Sequence, residues 1–492
     1  MNQLESLAEL ESKIANLSLD LDPHLMRETG YRAIDWIVQR QIGLRESPLG
    51  CELRREETEA LLREPLPEEG EHLQSVFDQF AEKIAPNVVP VDHPRFFAFI
   101  PSSPTFPSML ADTLVAGSNV FAGTWFEASG PSQVEIVVID WFKQMLGLPP
   151  QAGGLLVSGG SVATLAALAV ARQAILQNET AGAVVYLSDQ THASVDRALR
   201  LLGFRPQQCR RVPTDAAYQM DTEKLRARIA LDVEAGLRPF AVIANAGTTN
   251  TGAVDPMQEV NVIAREHGLW MHVDAAYGGF AALTERGRKL LAGIENADSI
   301  VLDPHKWFYC GYEAGCVMVR AGKLMRETFK ILPEYMTDVA REEQEVNFCD
   351  YGVQLTRAFR ALKVWMTVKT FGTRRLREII DQCMDLTEYA CRLFAQSPRI
   401  EITSPPSLGI FSFRYVPERA WSAAREEELN RLNADLVRRA VRSRRIVISS
   451  TQLGSRLVIR FCVLNHRTRK EDIRAALQMV EEFGREAAAN QP

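Results

Sequence analysis

Short apolar runs alternate with helical periodicities through the middle of the chain. The runs are four or five residues long, as expected of strands that are buried on both faces, and they occupy residues 183–187, 240–244, 269–273 and 299–302. Segments with helical spacing of apolar residues, such as 222–230 and 257–267, separate them. This alternation predicts βα units that build a mainly parallel sheet.

The first part of the chain has a helical pattern throughout. Apolar residues recur at helical spacing in the series Leu4, Leu7, Leu10 and Ile14. A stretch rich in proline and valine follows from Pro86 to Pro94. We therefore predict an N-terminal helical segment over residues 1–85 that contributes to dimer packing.

The pattern changes again near residue 375. Two strand-like runs, 408–413 and 456–461, lie among helical runs at 426–441 and 470–483. This mixture predicts a small α+β domain over residues 376–492. The α/β pattern between the two ends then defines a large domain over residues 86–375.

Composition restricts the class of protein. The chain has 492 residues, 46% of them hydrophobic, and its net charge of −6 includes no long run of one sign, which argues against a nucleic-acid surface. The eight cysteines are scattered and form no metal-binding motif. The most apolar stretch, 162–171, is far shorter than the ~20 residues of a membrane span. We predict a cytoplasmic protein with no metal site and no membrane span.

A carboxylate and a lysine follow two of the apolar runs. Asp274 ends one run, and Lys306 comes 32 positions later, shortly after the next. A lysine amine can hold pyridoxal 5′-phosphate as a Schiff base, while an aspartate keeps the ring nitrogen of that cofactor protonated. Lys306 could also be a surface lysine and Asp274 a helix cap, and the pair alone favours that interpretation. The neighbouring motifs favour the cofactor site instead.

Three further motifs follow predicted strands. Gly160 and Ser161 precede a helical run, where small residues and free amides suit a phosphate group. His192 could stack its ring on a cofactor ring, and the hydroxyl of Thr249 could reach a cofactor oxygen. Each motif has a simpler explanation as a capped helix, a structural histidine or a turn. Together, at the carboxyl ends of parallel strands, they predict one ligand crevice.

These motifs resemble those of the pyridoxal-phosphate-dependent group II amino-acid decarboxylases. The resemblance runs from about His93 to Arg460, and its most specific strings are residues 272–277 and 304–307. It implies an α/β fold of the aspartate-aminotransferase type (PLP fold type I), with a mainly parallel sheet in the large domain and a small α+β C-terminal domain. It also implies a homodimer whose sites lie at the interface between the two chains.

The resemblance assigns a role to each matching residue. Lys306 corresponds to the Schiff-base lysine, Asp274 to the partner of the ring nitrogen, and His192 to the histidine stacked on the ring. Tyr335 corresponds to a tyrosine on a mobile loop that returns a proton after carbon dioxide leaves. The catalytic residues are therefore predicted to be Lys306, Tyr335, His192 and Asp274. The residues assigned to cofactor binding are Gly160, Ser161, His192, Thr249, Asp274, Ala276, His305 and Lys306.

An apolar wall beside the substrate is expected, since it would favour loss of a charged carboxylate and hold an aromatic side chain. The candidates for this pocket are Phe99, Ile100, Pro101, Phe121 and Cys349. Core packing explains the four apolar residues about equally well. The tryptophan after Lys306 resembles the aromatic branch of the family, and further strings resemble bacterial tryptophan decarboxylases. Cys349 stands where those enzymes carry a bulky aromatic residue, so the preferred aromatic substrate stays open among Trp, Phe, Tyr and Dopa.

Several alternative functions remain. Glutamate or another amino acid of the group II enzymes is the second substrate class. An aldehyde synthase of the same family is expected to carry phenylalanine in place of Tyr335. An aminotransferase would depend on a keto acid. A non-catalytic protein that binds the cofactor is disfavoured, because Lys306, Asp274 and His192 are all present.

Overall fold

The computed structural model describes residues 7–15, 17–50, 52–331, 334, 344–417 and 425–489. The chain divides into two compact units, Met1–Val89 and Pro90–Pro492. Within the described residues, no helix is long and apolar enough to cross a membrane.

The first unit is helical. Its longest helix begins at Pro23, after Asp22 accepts hydrogen bonds from the backbone N–H groups of His24 (2.8 Å) and Leu25 (3.2 Å). A carboxylate at this position satisfies amides that have no partner within the helix. The helices of this unit are α1 (Leu7–Lys13), α2 (Pro23–Gly43), α3 (Arg55–Leu62) and α4 (Leu73–Gln79), and α4 continues into a π-helical turn, Phe80–Ile84.

A seven-stranded sheet forms the centre of the second unit. Its strands are β1 (Gly153–Val157), β2 (Ala183–Ser188), β3 (Cys209–Val212), β4 (Arg238–Asn245), β5 (Trp270–Asp274), β6 (Ser299–Leu302) and β7 (Gly315–Val319). The strand order is β1-β7-β6-β5-β4-β2-β3. Strands β6, β5, β4, β2 and β3 run parallel, whereas β7 is antiparallel to both β1 and β6. The predicted mainly parallel sheet is thus confirmed, and the four apolar runs are its central strands.

Helices pack against this sheet. In α7, nine of the 17 residues are buried, most of them alanine, so its backbone can lie close to the strands. The helices of the second unit up to the C-terminal sheet are α5 (Phe106–Ser118), α6 (Trp125–Leu146), α7 (Gly160–Leu176), α8 (Ala193–Leu201), α9 (Thr222–Glu234), α10 (Met257–Glu266), α11 (Glu285–Leu290), α12 (Lys323–Phe329) and α13 (Ala361–Ala395).

A four-stranded antiparallel sheet with its own apolar core lies near the C-terminus. Its strands are β8 (Ile400–Ser407), β9 (Ile410–Tyr415), β10 (Ser449–Leu453) and β11 (Arg456–Cys462), in the order β10-β11-β9-β8. The helices α14 (Glu426–Arg442) and α15 (Lys470–Ala489) accompany it. This arrangement matches the small α+β domain that the resemblance implies.

The boundary drawn at residue 375 falls inside α13. The backbone of this helix is interrupted at Gly372, whose φ of 69° and ψ of 160° are not helical. A positive φ costs glycine little, because it has no Cβ. The segment after Gly372 contributes to both apolar cores, since Leu376 and Ile380 belong to the core of the large sheet and Phe394 to that of the small one.

Candidate active site

A cavity of about 300 Å³ opens at the carboxyl ends of the parallel strands. Asp274 is the last residue of β5, and Lys306 lies four positions after the end of β6. Because β5 and β6 are parallel neighbours, their carboxyl ends bring these two groups to one edge of the sheet. All eight residues assigned to the cofactor by the resemblance line this cavity: Gly160, Ser161, His192, Thr249, Asp274, Ala276, His305 and Lys306.

The cradle that the sequence predicts for a phosphate group, Gly160 and Ser161, lies at the start of α7. Gly159 precedes this helix and Gly160 is its first residue, so backbone amides of its first turn face the cavity. A Cβ atom at Gly160 would lie 2.9 Å from a carboxylate oxygen of Asp303, and one at Gly159 would lie 3.3 Å from the ring of His305. Glycine at both positions therefore lets the backbone pack closely against Asp303 and His305, and it leaves the first-turn amides uncovered by a side chain, with the hydroxyl of Ser161 beside them. These residues fit the phosphate of pyridoxal 5′-phosphate.

His192 is the residue before α8, and its ring is oriented by that helix. The backbone N–H of Ser194 donates to Nδ1 of His192 (3.2 Å), and the Ser194 hydroxyl lies 2.8 Å from the same nitrogen. Because Nδ1 acts as an acceptor, the neutral ring carries its proton on Nε2. The ring is held in one orientation on the wall of the cavity.

A buried polar network supports the turn that carries His192. The Asn245 side-chain amide donates to the hydroxyls of Ser188 (3.2 Å) and Thr191 (3.3 Å) and to Asp255 (2.8 Å). Burial raises the pKa of Asp255 to about 6, against the opposing effect of the backbone N–H groups of Met220 and Asn245. Sequence analysis missed Asn245 and Asp255, although Asn245 ends β4 just as Asp274 ends β5.

Lys306 lies against a second carboxylate. Its Nζ is 2.9 Å from Oδ2 of Asp303. Burial opposes the charge of the Lys306 amine, but the attraction of Asp303, aided by Asp274, raises its pKa above the ordinary value for lysine. His305 Nε2 is 3.7 Å from the same Asp303 oxygen, and burial lowers the pKa of His305. Asp303 was not predicted, although it directly follows strand β6.

Tyr277 connects the cavity to the small sheet. Its ring stacks on Trp307, with 5.5 Å between the ring centroids and an angle of 21° between the planes. The backbone N–H of Gly409, just before β9, donates to its hydroxyl oxygen (2.6 Å). Asp274 accepts a hydrogen bond from the backbone N–H of Ala276 (3.2 Å), so the turn after β5 orients both its carboxylate and Tyr277.

The candidates for the substrate pocket lie on three other segments, and none of them lines the described part of this cavity. Phe99 has a left-handed backbone (φ 51°) and a side chain that is 63% exposed, while Ile100 is partly buried and Pro101 is buried. Phe121 and Cys349 both contact Gly123: the Cys349 N–H donates to the Gly123 carbonyl (3.0 Å), and a Cβ at Gly123 would collide with the Phe121 ring.

Arg460 of β11 links the Phe99 segment to the cofactor side of the site. Its guanidinium donates to the carbonyl oxygens of Phe99 (3.2 Å) and Asn250 (3.2 Å) and to the hydroxyl of Ser449 (3.2 Å). Asn250 directly follows Thr249, which lines the cavity. Burial lowers the pKa of Arg460. The backbone of the Phe99 segment is thus fastened to the loop that follows β4.

Tyr335 lies outside the described residues. In the part of the chain that the structure does describe, no group of three or more His, Cys, Asp or Glu side chains is arranged to hold a metal ion.

Known proteins resemble this chain in both sequence and fold. An aromatic-L-amino-acid decarboxylase of Bacillus atrophaeus is 39% identical over 476 residues, which cover 96% of this chain and 98% of that protein. A phenylacetaldehyde synthase of Arabidopsis thaliana is 30% identical over 94% of this chain and 96% of its own length. A crystal structure of Oryza sativa TDC with PLP and tryptamine superposes with a TM-score of 0.90 at 28% identity, covering 96% of this chain and 99% of that one.

The pyridoxal-dependent decarboxylase conserved domain matches residues 56–416. That range includes the cradle at Gly160, His192, Asp274 and Lys306. The chain therefore belongs to the family of pyridoxal-dependent decarboxylases, carboxy-lyases that act on amino acids with pyridoxal 5′-phosphate as their cofactor.

Proposed function

We propose that this enzyme decarboxylates an aromatic L-amino acid, with tryptophan favoured, to the corresponding amine and carbon dioxide. One observation carries the proposal: Lys306, Asp274, His192 and the Gly160–Ser161 cradle surround a single cavity at the carboxyl edge of the sheet. A lysine, a carboxylate, a flat ring and an anion site are the four elements that this chemistry requires.

Each residue has a distinct task. The Lys306 amine would form the covalent link to the cofactor carbonyl and would yield it to the substrate amine. The amides around Gly160 and the Ser161 hydroxyl would hold the phosphate, and His192 would support the ring. When bound, the cofactor supplies an electron sink for the pair of electrons that carbon dioxide leaves behind. Asp274 keeps that sink effective by holding the proton of the ring nitrogen.

One finding and one expectation favour an aromatic substrate. The relative at 39% identity is an aromatic-L-amino-acid decarboxylase. Phe99, Ile100, Pro101 and Phe121 are the proposed wall for the substrate, and a charged side chain against such a wall would cost roughly a few kcal/mol in lost solvation. Cys349 would leave room beside them.

Carbon dioxide release should be fastest with tryptophan among Trp, Phe, Tyr, Dopa, His and Glu at equal concentration. Cys349→Phe should shift kcat/KM away from the largest ring, because the added side chain takes up space near Gly123. Cys391→Phe is unsuitable as a control, because Cys391 is buried in the small domain. The half-buried Cys209→Ser on β3 should leave the order unchanged. Glutamate as the best substrate would overturn the argument from the apolar wall.

One relative of this chain is a phenylacetaldehyde synthase, whose product is an aldehyde and not an amine. We propose that Tyr335 separates the two reactions by donating a proton to the substrate α-carbon after carbon dioxide has left. Without that donor, the electron-rich carbon would be open to attack by oxygen, giving aldehyde, ammonia and peroxide.

Tyr335→Phe should therefore still release carbon dioxide but yield less amine and consume oxygen. The change removes only the donor and keeps the shape of the ring. An oxygen electrode read beside an amine assay measures both outcomes. Tyr389→Phe on α13, whose hydroxyl accepts a hydrogen bond from Arg474 (2.9 Å), is the control and should consume no oxygen. Ordinary amine yield without oxygen uptake in Tyr335→Phe would remove the role from Tyr335.

We propose that the enzyme is a homodimer. Support comes from apolar side chains that stay exposed in the single chain. Helix α1 has no buried residue, and the side chains of Leu7, Ile14 and Leu17 are 74%, 71% and 90% exposed. Covering such side chains with a second copy of the chain removes apolar surface from water and so stabilises the dimer.

Sedimentation at assay concentration should give a mass near twice the 55.1 kDa of the chain. Ile14→Glu should weaken the dimer, because burying a carboxylate without a partner is costly. The same change at Leu231, which is 59% exposed on α9, serves as the control and should leave the mass unchanged. A fully active monomer would contradict the proposal.

We further propose a cytoplasmic location. The seven cysteines in the described ranges form no disulfide, as expected in a reducing compartment. Thiol titration of the unfolded, unreduced protein should therefore count eight free thiols, and a lower count would argue against this setting.

A further inference from the structure

Asp303 is a buried carboxylate inside the cavity that the roles described so far leave unused. It directly follows β6, and its backbone N–H donates to the carbonyl of Ala276 (3.1 Å). Its side chain is 3% exposed. One oxygen, Oδ1, has no hydrogen-bond partner among the described residues. A buried carboxylate with a free oxygen is costly unless a cation or a donor compensates it.

The compensating cation is the Lys306 ammonium. Oδ2 of Asp303 is 2.9 Å from Nζ, and a turn fixes the spacing, since the Lys306 backbone N–H donates to the Asp303 carbonyl (2.8 Å). The other carboxylates that line the cavity have other contacts. Asp274 accepts the N–H of Ala276, and Glu313 lies at 3.7 Å from Arg360 with its side chain 65% exposed.

The reaction requires a place for this amine. Lys306 must release its covalent link when the substrate amine takes its place, and it must return when the product leaves. A substrate amine arrives protonated and has to lose a proton before it can react, while the released lysine amine can accept one. The proton and its charge are thus conserved if they pass from the substrate to Lys306. An ammonium inside a buried cavity then needs a counter-ion within hydrogen-bond distance.

We propose that Asp303 is a positioning residue that holds the Lys306 amine as an ammonium whenever that amine is not covalently bound. This inference rests on the proposed function, because it assumes that Lys306 forms and yields the link to the cofactor. It assigns the two carboxylates of the site to different tasks: Asp274 serves the ring nitrogen and Asp303 serves the lysine.

The electrostatics of the cavity agree with this assignment. Burial disfavours the charge on Lys306, and Asp303 is the largest influence that restores it, ahead of Asp274 and Tyr312. His305 also faces Asp303, but burial lowers its pKa and so disfavours a charge on its ring. The remaining titratable groups on the wall are His192, Tyr277 and Glu313.

The test measures the reactivity of Lys306 in the full-length protein from which the cofactor has been removed. Trace labelling with acetic anhydride between pH 7 and 10 modifies a lysine amine only in its unprotonated form. Mass spectrometry then quantifies the extent of labelling at each lysine. At pH values below the Lys306 pKa of both proteins, Asp303→Asn should speed the labelling of Lys306 by about tenfold or more, because loss of an opposite charge at contact distance shifts a pKa by about 1–3 units. The exposed Lys323 serves as an internal reference and should not change.

Two comparisons keep the result specific. Asp303→Glu retains the charge and should label closer to the wild-type rate, whereas Asp140→Asn, which removes the surface partner of Lys143, should leave Lys306 at the wild-type rate. An unchanged rate in folded Asp303→Asn would overturn the proposal. If that variant does not fold, the wild-type protein decides: Lys306 must label more slowly than Lys323 at every pH, and an equal or faster rate overturns the proposal.

The same experiment separates this inference from the proposed function. Adding pyridoxal 5′-phosphate to the wild-type protein should protect Lys306 from the label. Absence of protection would refute the covalent role of Lys306 and with it the premise, whatever the rate in Asp303→Asn. Protection together with an unchanged rate would refute only the role of Asp303.

Discussion

Lys306→Ala should abolish the covalent link to the cofactor and lower decarboxylation by at least about a thousandfold, which corresponds to about 4 kcal/mol in the barrier. The remaining site can still hold the phosphate through the Gly160 cradle and the ring through His192. What it loses is the amine that captures the cofactor and gives way to the substrate. Reduction with borohydride followed by mass spectrometry measures the link directly, and carbon dioxide release measures the activity.

The matched control is Lys323→Ala, which removes an exposed lysine at the start of α12 and should keep both the link and the rate. Thermal unfolding of the two variants shows whether the fold is intact. Removing Lys306 also leaves Asp303 without its ammonium partner, so some loss of stability is expected. A reducible link that survives in Lys306→Ala would show that another lysine holds the cofactor.

Asp274→Asn should bind the cofactor and yet lose roughly 30-fold to a thousandfold in kcat, or about 2–4 kcal/mol in the barrier. An amide has nearly the shape of the carboxylate and can still accept the backbone N–H of Ala276. It cannot keep the ring nitrogen protonated, because it carries no negative charge. Cofactor retention is measured by absorbance after gel filtration, and kcat by carbon dioxide release.

A rescue experiment distinguishes this role from simple packing. A cofactor analogue with a permanent positive charge on the ring nitrogen should restore part of the activity of Asp274→Asn and should not improve the wild-type enzyme. The surface variant Asp140→Asn should respond to the analogue as the wild type does. Near-normal kcat in Asp274→Asn with the ordinary cofactor would contradict the role of Asp274.

Local pattern was sufficient for the core of the large domain. Strands β2, β4, β5 and β6 were predicted from uninterrupted apolar runs, and they are buried along most or all of their length. The pattern could not show that β7 inserts between β1 and β6 in the opposite direction. An apolar run reveals that a strand is buried, whereas its neighbours depend on contacts between residues far apart in sequence.

The same distinction applies to the candidate site. Asp274, Lys306, His192 and the Gly160 cradle were recognisable because each stands next to a strand or helix end, and these ends meet at one edge of a parallel sheet. The Asn245–Asp255 network and the Arg460 link to Phe99 were not predicted, because their partners come from separate elements. The five candidates for the substrate pocket stay predictions for a related reason, since chemical type alone does not say which apolar side chain faces a substrate.

The sequence by itself thus determined the fold class, the family and the cofactor, because these depend on short motifs and on apolar periodicity. The residues most directly tied to the cofactor stay predictions from the same motifs. Only the tertiary structure decided how the remaining charges are paired. Asp303 lies three residues from Lys306 in a string already noted for its lysine, yet its task depends on its burial, on the 2.9 Å contact with Nζ and on the position of Asp274 one strand away. Burial and distance set the energy of a charge, and neither can be read from the order of residues.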